Sequence, residues 1–316
     1  MKTNSKLAVA FLAAASSIAA QAADAPAPAV TFSGYAVVTG SIVKDSGTAS
    51  VSDLDLTAAK FGINAKLASN VSAYASLYYT GTDADLLDAY VSFDAGSGLT
   101  ITAGNFLSYM GYEAFDPINM TQISYANGGL LGGPVPAYHT GVKVDYTAGV
   151  HGIGAAVVDS IYGPTLFNGD GDYTKKGLEA YYTYKGIKDT QIWLGGLQDN
   201  DNGGAVYDLW VSYALSKTDS IGAEYLVKES DGYNWLLAYT KAIDSKISVT
   251  ARLSGESSDV ADANSAAGAK FLKYTLSPSY AFTDKFTVRA EVSYTDNGGT
   301  ATGSSTFYAI QSLFKF

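Results

Sequence analysis

Hydrophobic and polar residues alternate with a period of two along most of the chain, from Val30 to the end. Between residues 286 and 294, for example, the aromatic and aliphatic positions are the even ones, and Thr287, Arg289, Glu291 and Ser293 occupy the odd ones. Successive side chains of a β-strand point to opposite faces, so each such segment has one apolar face and one polar face. The pattern predicts an all-β protein.

Sixteen segments follow this pattern, and most have the length of tilted membrane strands, about 9–11 residues. In the second segment the alternation loses phase, which predicts a β-bulge near Ala58–Lys60. The sixteen predicted strands are 30–43, 53–67, 71–79, 86–93, 99–106, 138–146, 150–159, 177–185, 190–197, 205–215, 220–228, 233–241, 246–254, 269–282, 286–294 and 306–316.

The connections alternate between short turns and longer loops, as expected for bacterial outer-membrane barrels. Short turns include 68–70, 147–149 and 283–285, whereas Lys44–Ser52, Leu107–Ala137 and Ser160–Lys175 are long. A soluble β-sandwich also has alternating strands, but it has no reason to place nearly all its long loops at one end. We therefore predict a transmembrane antiparallel β-barrel of sixteen strands.

Tyrosines near the strand ends support a membrane barrel, because rings with a polar tip suit the boundary between lipid and water. We expect the following tyrosines on the outer, apolar face: Tyr138, Tyr146, Tyr213, Tyr225, Tyr233, Tyr239, Tyr274, Tyr280 and Tyr294.

The first residues are typical of an export signal. Lys2 and Lys6 precede an apolar run that is too short to span a bilayer, and Ala20-Gln21-Ala22 fits a cleavage site. We predict a signal peptide at 1–22, with cleavage after Ala20 as the alternative, a short lead-in at 23–29 and the barrel at 30–316.

Composition excludes several function classes. The net charge of −10 argues against nucleic-acid binding, and the absence of cysteine excludes disulfides and thiolate metal sites. We expect no cofactor and no metal. His139 and His151 are the only histidines, and no nucleophile-elbow motif occurs. We therefore expect no enzyme, although sequence alone leaves open a lipase assembled on the lipid face.

The longest connection, Leu107–Ala137, carries too many apolar and aromatic residues for a disordered segment. Such a loop needs a surface to pack against. We expect it to fold into the barrel after the fifth strand and narrow the lumen. The alternative is an external loop that contacts neighbouring barrels.

Part of this region resembles a known family. Gly104-Asn105-Phe106, Gly111-Tyr112-Glu113, Asn127, Pro136 and His139-Thr140-Gly141-Val142 look like the corresponding stretch of OmpL-like β-barrel porins. The resemblance implies an outer-membrane channel and carries over no catalytic or ligand positions. The terminal strand ending on Phe316 also resembles the signal read by the barrel-assembly machinery.

Charged side chains predicted on the polar faces are the candidate pore-lining residues, because a charge facing lipid at mid-depth costs about 2–4 kcal/mol. A basic row opposed to acids of the long loop would create a transverse field for polar solutes. The alternative is that these charges pair locally and hold the wall together. The candidate set is Glu113, Asp116, Lys143, Arg252, Lys273, Arg289 and Glu291.

The predicted function is a water-filled outer-membrane porin for passive diffusion of small polar solutes and ions. The alternative is a non-conducting barrel that acts as an anchor or adhesin. Expected partners are outer-membrane lipid and lipopolysaccharide, which the acidic loops would reach through divalent ions, together with the barrel-assembly machinery and a homotrimer.

Overall fold

A computed structural model describes residues 29–79, 84–126, 135–161, 176–199, 204–229, 231–258, 268–300 and 302–316. The chain forms a closed antiparallel barrel in which each of sixteen strands pairs with its sequence neighbours and β1 pairs with β16. The predicted signal peptide and most of the lead-in lie outside the described residues.

The strands are β1 Ala29–Asp45, β2 Val51–Ala68, β3 Val71–Tyr79, β4 Ala84–Gly96, β5 Leu99–Leu107, β6 Tyr138–Ala148, β7 His151–Val158, β8 Gly177–Tyr184, β9 Thr190–Asp199, β10 Ala205–Ala214, β11 Asp219–Lys228, β12 Gly232–Ala242, β13 Ile247–Ser258, β14 Ala269–Thr283, β15 Phe286–Gly299 and β16 Ser304–Lys315. The predicted count of sixteen is confirmed. Several strands extend beyond their predicted ends by two to five residues, as β15 does.

Alternating side chains face outwards and into the lumen. On β12, Tyr233, Leu237 and Tyr239 are exposed on the outer surface, whereas Asn234 and Leu236 are buried inside the barrel. The outer surface is thus a band of exposed Leu, Val, Ile, Phe and Tyr side chains, which suits contact with hydrocarbon. Among the described residues, no helix is long and apolar enough to cross a membrane.

Hydrogen bonds between the first and last strands close the barrel. The Gly34 and Phe316 main chains exchange two hydrogen bonds, of 3.2 and 3.0 Å. Register continues up to Asp45 paired with Ser305. Closure satisfies the edge strands, which in a membrane have no water to bond.

Two local predictions need correction. The bulge lies at Thr57, one residue before the predicted range, because Val37 pairs with Ala58 and Val38 with Leu56. Tyr138 does not join the outer girdle: its side chain is buried and its hydroxyl accepts a hydrogen bond from Lys60 inside the barrel. The other eight predicted girdle tyrosines are exposed.

Candidate functional site: a charged loop in the barrel lumen

The connection between β5 and β6 enters the lumen and packs against the inner wall. It runs from Ser108 to Ala137, contains one 3-10 turn at Pro117–Asn119, and is described at 108–126 and 135–137. We call residues 108–126 the lumenal loop. The predicted inward fold is confirmed for these residues by their bonds to wall strands.

The beginning of the lumenal loop is held by carboxylates. Glu179 on β8 accepts hydrogen bonds from the Ser108 hydroxyl, at 2.7 Å, and from the Tyr109 N–H, at 3.2 Å. Asp208 on β10 accepts the Gly111 N–H at 3.0 Å, and Glu224 on β11 accepts the next N–H along the loop. Main-chain N–H groups therefore point at three successive wall acids, an arrangement that fixes the path of the loop.

Arg252 is the central anchor of the lumenal loop. Its guanidinium forms an ion pair with Glu113 and donates to the carbonyl oxygens of Ser124, at 2.7 Å, and Tyr125, at 3.0 Å. It also donates to the Thr275 hydroxyl at 3.2 Å. Arg252 is buried, so this one side chain joins the two limbs of the loop to β13 and β14.

The middle of the loop crosses to the opposite wall. Asp116 lies 3.3 Å from the Lys60 ammonium on β2 and accepts the Tyr35 hydroxyl of β1 at 2.7 Å. Lys60 also pairs with Asp88 of β4 at 2.9 Å. One lysine is therefore shared between a wall acid and a loop acid.

The returning limb is fixed mainly by β14 and β15. Arg289 donates to the carbonyl oxygens of Gln122, at 2.9 Å, and Met120, at 2.6 Å. Glu291 accepts the N–H groups of Ile123, at 2.6 Å, and Ser124, at 3.1 Å. Lys273 donates to the Ser124 hydroxyl at 2.8 Å and to the Tyr125 carbonyl at 2.9 Å.

Aromatic side chains of β8, β9 and β10 also face the start of the lumenal loop. Trp193 stacks on Tyr181 and on Trp210, with ring centroids 5.9 and 5.8 Å apart. The Lys143 ammonium lies 4.9 Å from the ring centroids of both Phe106 and Tyr109. Lys143 thus contacts aromatic faces rather than a loop acid.

Tyr112 of the lumenal loop packs edge-on against Trp210 of this wall, with ring centroids 5.7 Å apart. Burial raises the pKa of the Tyr112 hydroxyl. The Tyr125 hydroxyl donates to the Phe115 carbonyl at 2.8 Å, which holds the ring in place although the residue stays exposed.

The structure places six of the seven predicted site residues at the contact between loop and wall, with Lys143 beside it. Sequence reasoning missed Lys60, Asp88, Glu179, Asp208 and Glu224. Each is a charged residue on a predicted strand. The parity rule that selected Arg252 was able to find all of them except Lys60, which lies where the alternation loses phase. Six acidic residues of the predicted external loops lie outside the described residues: Asp83, Asp170, Asp172, Asp201, Asp259 and Asp262.

A family model described as "Putative beta-barrel porin-2, OmpL-like" matches residues 55–316. The chain belongs to this porin family. The OmpL-like porin is therefore a protein of the bacterial outer membrane, and its family and fold are those of a channel. No curated protein matches its sequence.

Solved structures share the barrel at low sequence identity. An anion-selective porin from Comamonas acidovorans has a TM-score of 0.66 at 13% identity, covering 92% of this chain and 100% of the other. A loop-deletion mutant of OmpT, an outer membrane protein of Vibrio cholerae, has a TM-score of 0.63 at 17% identity, with the same coverages. The channel DcaP of Acinetobacter baumannii has a TM-score of 0.62 at 12% identity, covering 92% and 98%.

Proposed function

We propose that this porin is a passive outer-membrane channel for small polar solutes and ions, narrowed by its lumenal loop. The observation that carries the proposal is the loop itself, which lies inside the barrel on a wall of charged and polar groups. A barrel of sixteen strands is wide enough to hold an aqueous channel, so an inserted loop sets the smallest cross-section. Solutes would be selected there by size and by charge.

The candidate residues would contribute to the constriction by holding the lumenal loop in place. Arg252, Arg289 and Glu291 are buried against it, so they position the loop and set the local field from beneath it. Lys273 and Asp116 are less buried and would face passing ions more directly. Charges of both signs around a constriction orient polar solutes.

A non-conducting barrel is the second candidate, and one specific observation favours it. The lumenal loop bonds to β1, β2, β8, β10, β11, β13, β14 and β15, so its anchors surround the lumen rather than one side of it. A loop held on every side would act as a plug unless water passes between it and the wall.

Planar-bilayer recording decides between the two. Purified porin that gives stepwise, ohmic conductance in KCl supports the channel. Persistent silence from protein that shows heat-modifiable migration, the sign of a folded barrel, would reject it and support the anchor. A variant with Arg252→Met serves as the positive control, because it weakens the loop anchor and should conduct in either case.

Assembly and processing complete the proposal. One similar structure is OmpT of Vibrio cholerae in a trimer form, which supports a homotrimer here. Residues 1–22 would be removed on export, and lipopolysaccharide and the barrel-assembly machinery would be partners in the membrane. Native mass spectrometry tests both oligomer and cleavage: a monomer, or a chain retaining Met1, would contradict the respective part.

A further inference from the structure

A cavity lies between the lumenal loop and strands β11 and β12. Its volume is about 370 Å³, within the range of about 300–1,000 Å³ typical of small-molecule sites. Leu107 of β5 and residues 108–115, Tyr125 and Ala126 of the lumenal loop line one side, and Glu224 and Asn234 lie on the wall. In the register of β11 and β12, both wall residues lie on the long-loop side of Ala238, which pairs with Arg252.

Three aromatic rings are held rigidly at this cavity. Phe115 packs edge-on against Tyr138 at 5.2 Å, and Tyr112 packs edge-on against Trp210 at 5.7 Å. Tyr125 is 43% exposed although its hydroxyl is tied to the loop main chain. An aromatic ring that is fixed in a lumen yet uncovered is a platform on which an apolar face can stack.

The polar groups of the cavity are incompletely bonded. Asn234 is 4% exposed, and its side-chain Nδ2 has no hydrogen-bond acceptor within the described structure. One Glu224 oxygen accepts the Tyr112 N–H, and no other donor in the described part of the chain contacts this carboxylate. A buried amide donor without a partner destabilises the fold, so its presence beside a cavity points to a ligand.

The chemistry of these groups selects the ligand. Asn234 needs an acceptor, while Glu224 needs a donor, and a hydroxyl group serves as both. An inorganic anion would be repelled by Glu113 and Glu224, which both line the cavity, and the Arg252 guanidinium is already paired with Glu113. A metal ion would leave both Asn234 Nδ2 and the aromatic rings without a role.

We infer that this cavity is a binding site for a neutral saccharide, with the C–H face of a pyranose ring on Tyr112, Phe115 and Tyr125 and its hydroxyl groups on Asn234 and Glu224. The inference rests on the proposed function and extends it, because it names a class of solute. A solute of this class would bind above the narrowest part of the channel before it passes through. Binding in the cavity would slow the passage of the saccharide through the channel. It would also raise the concentration of the saccharide next to the narrowest part.

Tryptophan fluorescence of the purified, detergent-solubilised porin tests the site without requiring conduction. The chain has three tryptophans; Trp210 contacts Tyr112 and Trp235 borders the cavity. Glucose and maltose should change the emission saturably, whereas choline chloride and sodium phosphate at equal concentration should not. No saturable change with either sugar from folded protein would overturn the inference, as would an equal response to choline or phosphate.

Two variants separate a binding role from a structural one. Asn234→Leu, similar in volume, should weaken sugar binding about tenfold, the effect of losing one hydrogen bond, while thermal stability stays equal or rises. Tyr125→Ala should weaken binding, and Tyr125→Phe should weaken it less. Tyr233→Phe, on the outer face beside Asn234, is the matched control and should bind normally.

The failure of this site and the failure of the channel give different results. Sugar binding by a porin that is silent in bilayers would leave the site standing and reject passive conduction. Conduction without sugar binding would reject the saccharide site and leave the proposed channel standing. Unchanged affinity in both Asn234→Leu and Tyr125→Ala would overturn the site even if wild-type porin binds sugar.

Discussion

Replacing Arg252 with methionine should release the lumenal loop. The substitution removes an ion pair to Glu113 and two hydrogen bonds to loop carbonyl groups, at 2.7 and 3.0 Å. Breaking a buried ion pair by removing one partner costs about 3–5 kcal/mol, because the remaining charge stays buried without its counter-ion. Methionine fills similar space along the stem, so the barrel wall itself should stay intact.

The magnitude sets the expected size of the effect. At about 1.4 kcal/mol per tenfold change, the equilibrium between bound and displaced loop should shift by roughly two to four orders of magnitude. Remaining anchors at Glu291, Arg289 and Lys60 keep the loop partly attached. We therefore expect frequent transitions to a wider state rather than a permanently open barrel.

Single-channel recording in planar bilayers measures this directly. The Arg252→Met porin should show larger conductance steps or added open-channel noise relative to wild type. A second substitution, Glu113→Gln, should reverse part of the change, because it removes the charge that Arg252→Met leaves unpaired. Wild-type conductance and noise from a folded Arg252→Met barrel would refute the claim that this ion pair anchors the loop.

Other substitutions test separate parts of the arrangement. Glu291→Gln removes the negative charge that accepts hydrogen bonds from two loop N–H groups, and each charged hydrogen bond is worth about 1.5–3 kcal/mol. Amide hydrogen exchange in the returning limb of the loop should therefore be faster in this variant. Unchanged exchange would contradict this expectation. Combined Arg252→Glu and Arg289→Glu should shift reversal potentials in a KCl gradient towards cation selectivity, and an unchanged potential would reject their influence on ions. Gly104 has a φ of +133°, and a Cβ atom added there would lie 2.1 Å from the Ala89 carbonyl oxygen. Gly104→Ala should therefore lower the yield of folded, heat-modifiable barrel. A normal yield would show that the strand relaxes around the added methyl group.

The barrel was predictable because one physical rule governs every strand. Each outward side chain meets hydrocarbon and its neighbour meets the lumen, so the alternation recurs in all sixteen strands. The location of the bulge was less accurate, since Thr57 is identified by pairing with β1 and not by its own residue type. Tyr138 was misassigned because the alternation along β6 predicts an outward side chain at this position. Tyr138 is the first residue of the strand, and its side chain instead lies inside the barrel, where its hydroxyl accepts a hydrogen bond from Lys60.

The candidate site was predictable in kind but not in its pairings. The cost of placing a charge in lipid predicts lumen-facing charges, and the structure has Arg252 and Glu291 on the lumen side. Their partners lie far away in sequence: Glu113 is 139 residues from Arg252, and the two residues meet only because the loop turns inward. No periodicity carries that information.

The apolar lumenal side chains were hidden for a related reason. Leu226 and Val206 face the inside of a channel, where the parity rule expects polar residues, yet both are completely buried. They belong to an apolar cluster with Met110 of the lumenal loop, which supplies the surface that covers them. The wall and the loop are thus complementary in both hydrophobicity and charge, so a change in the loop should alter what the wall exposes to a solute. Selectivity in this porin is therefore a property of the loop–wall pair, and substitutions in either partner must be interpreted together.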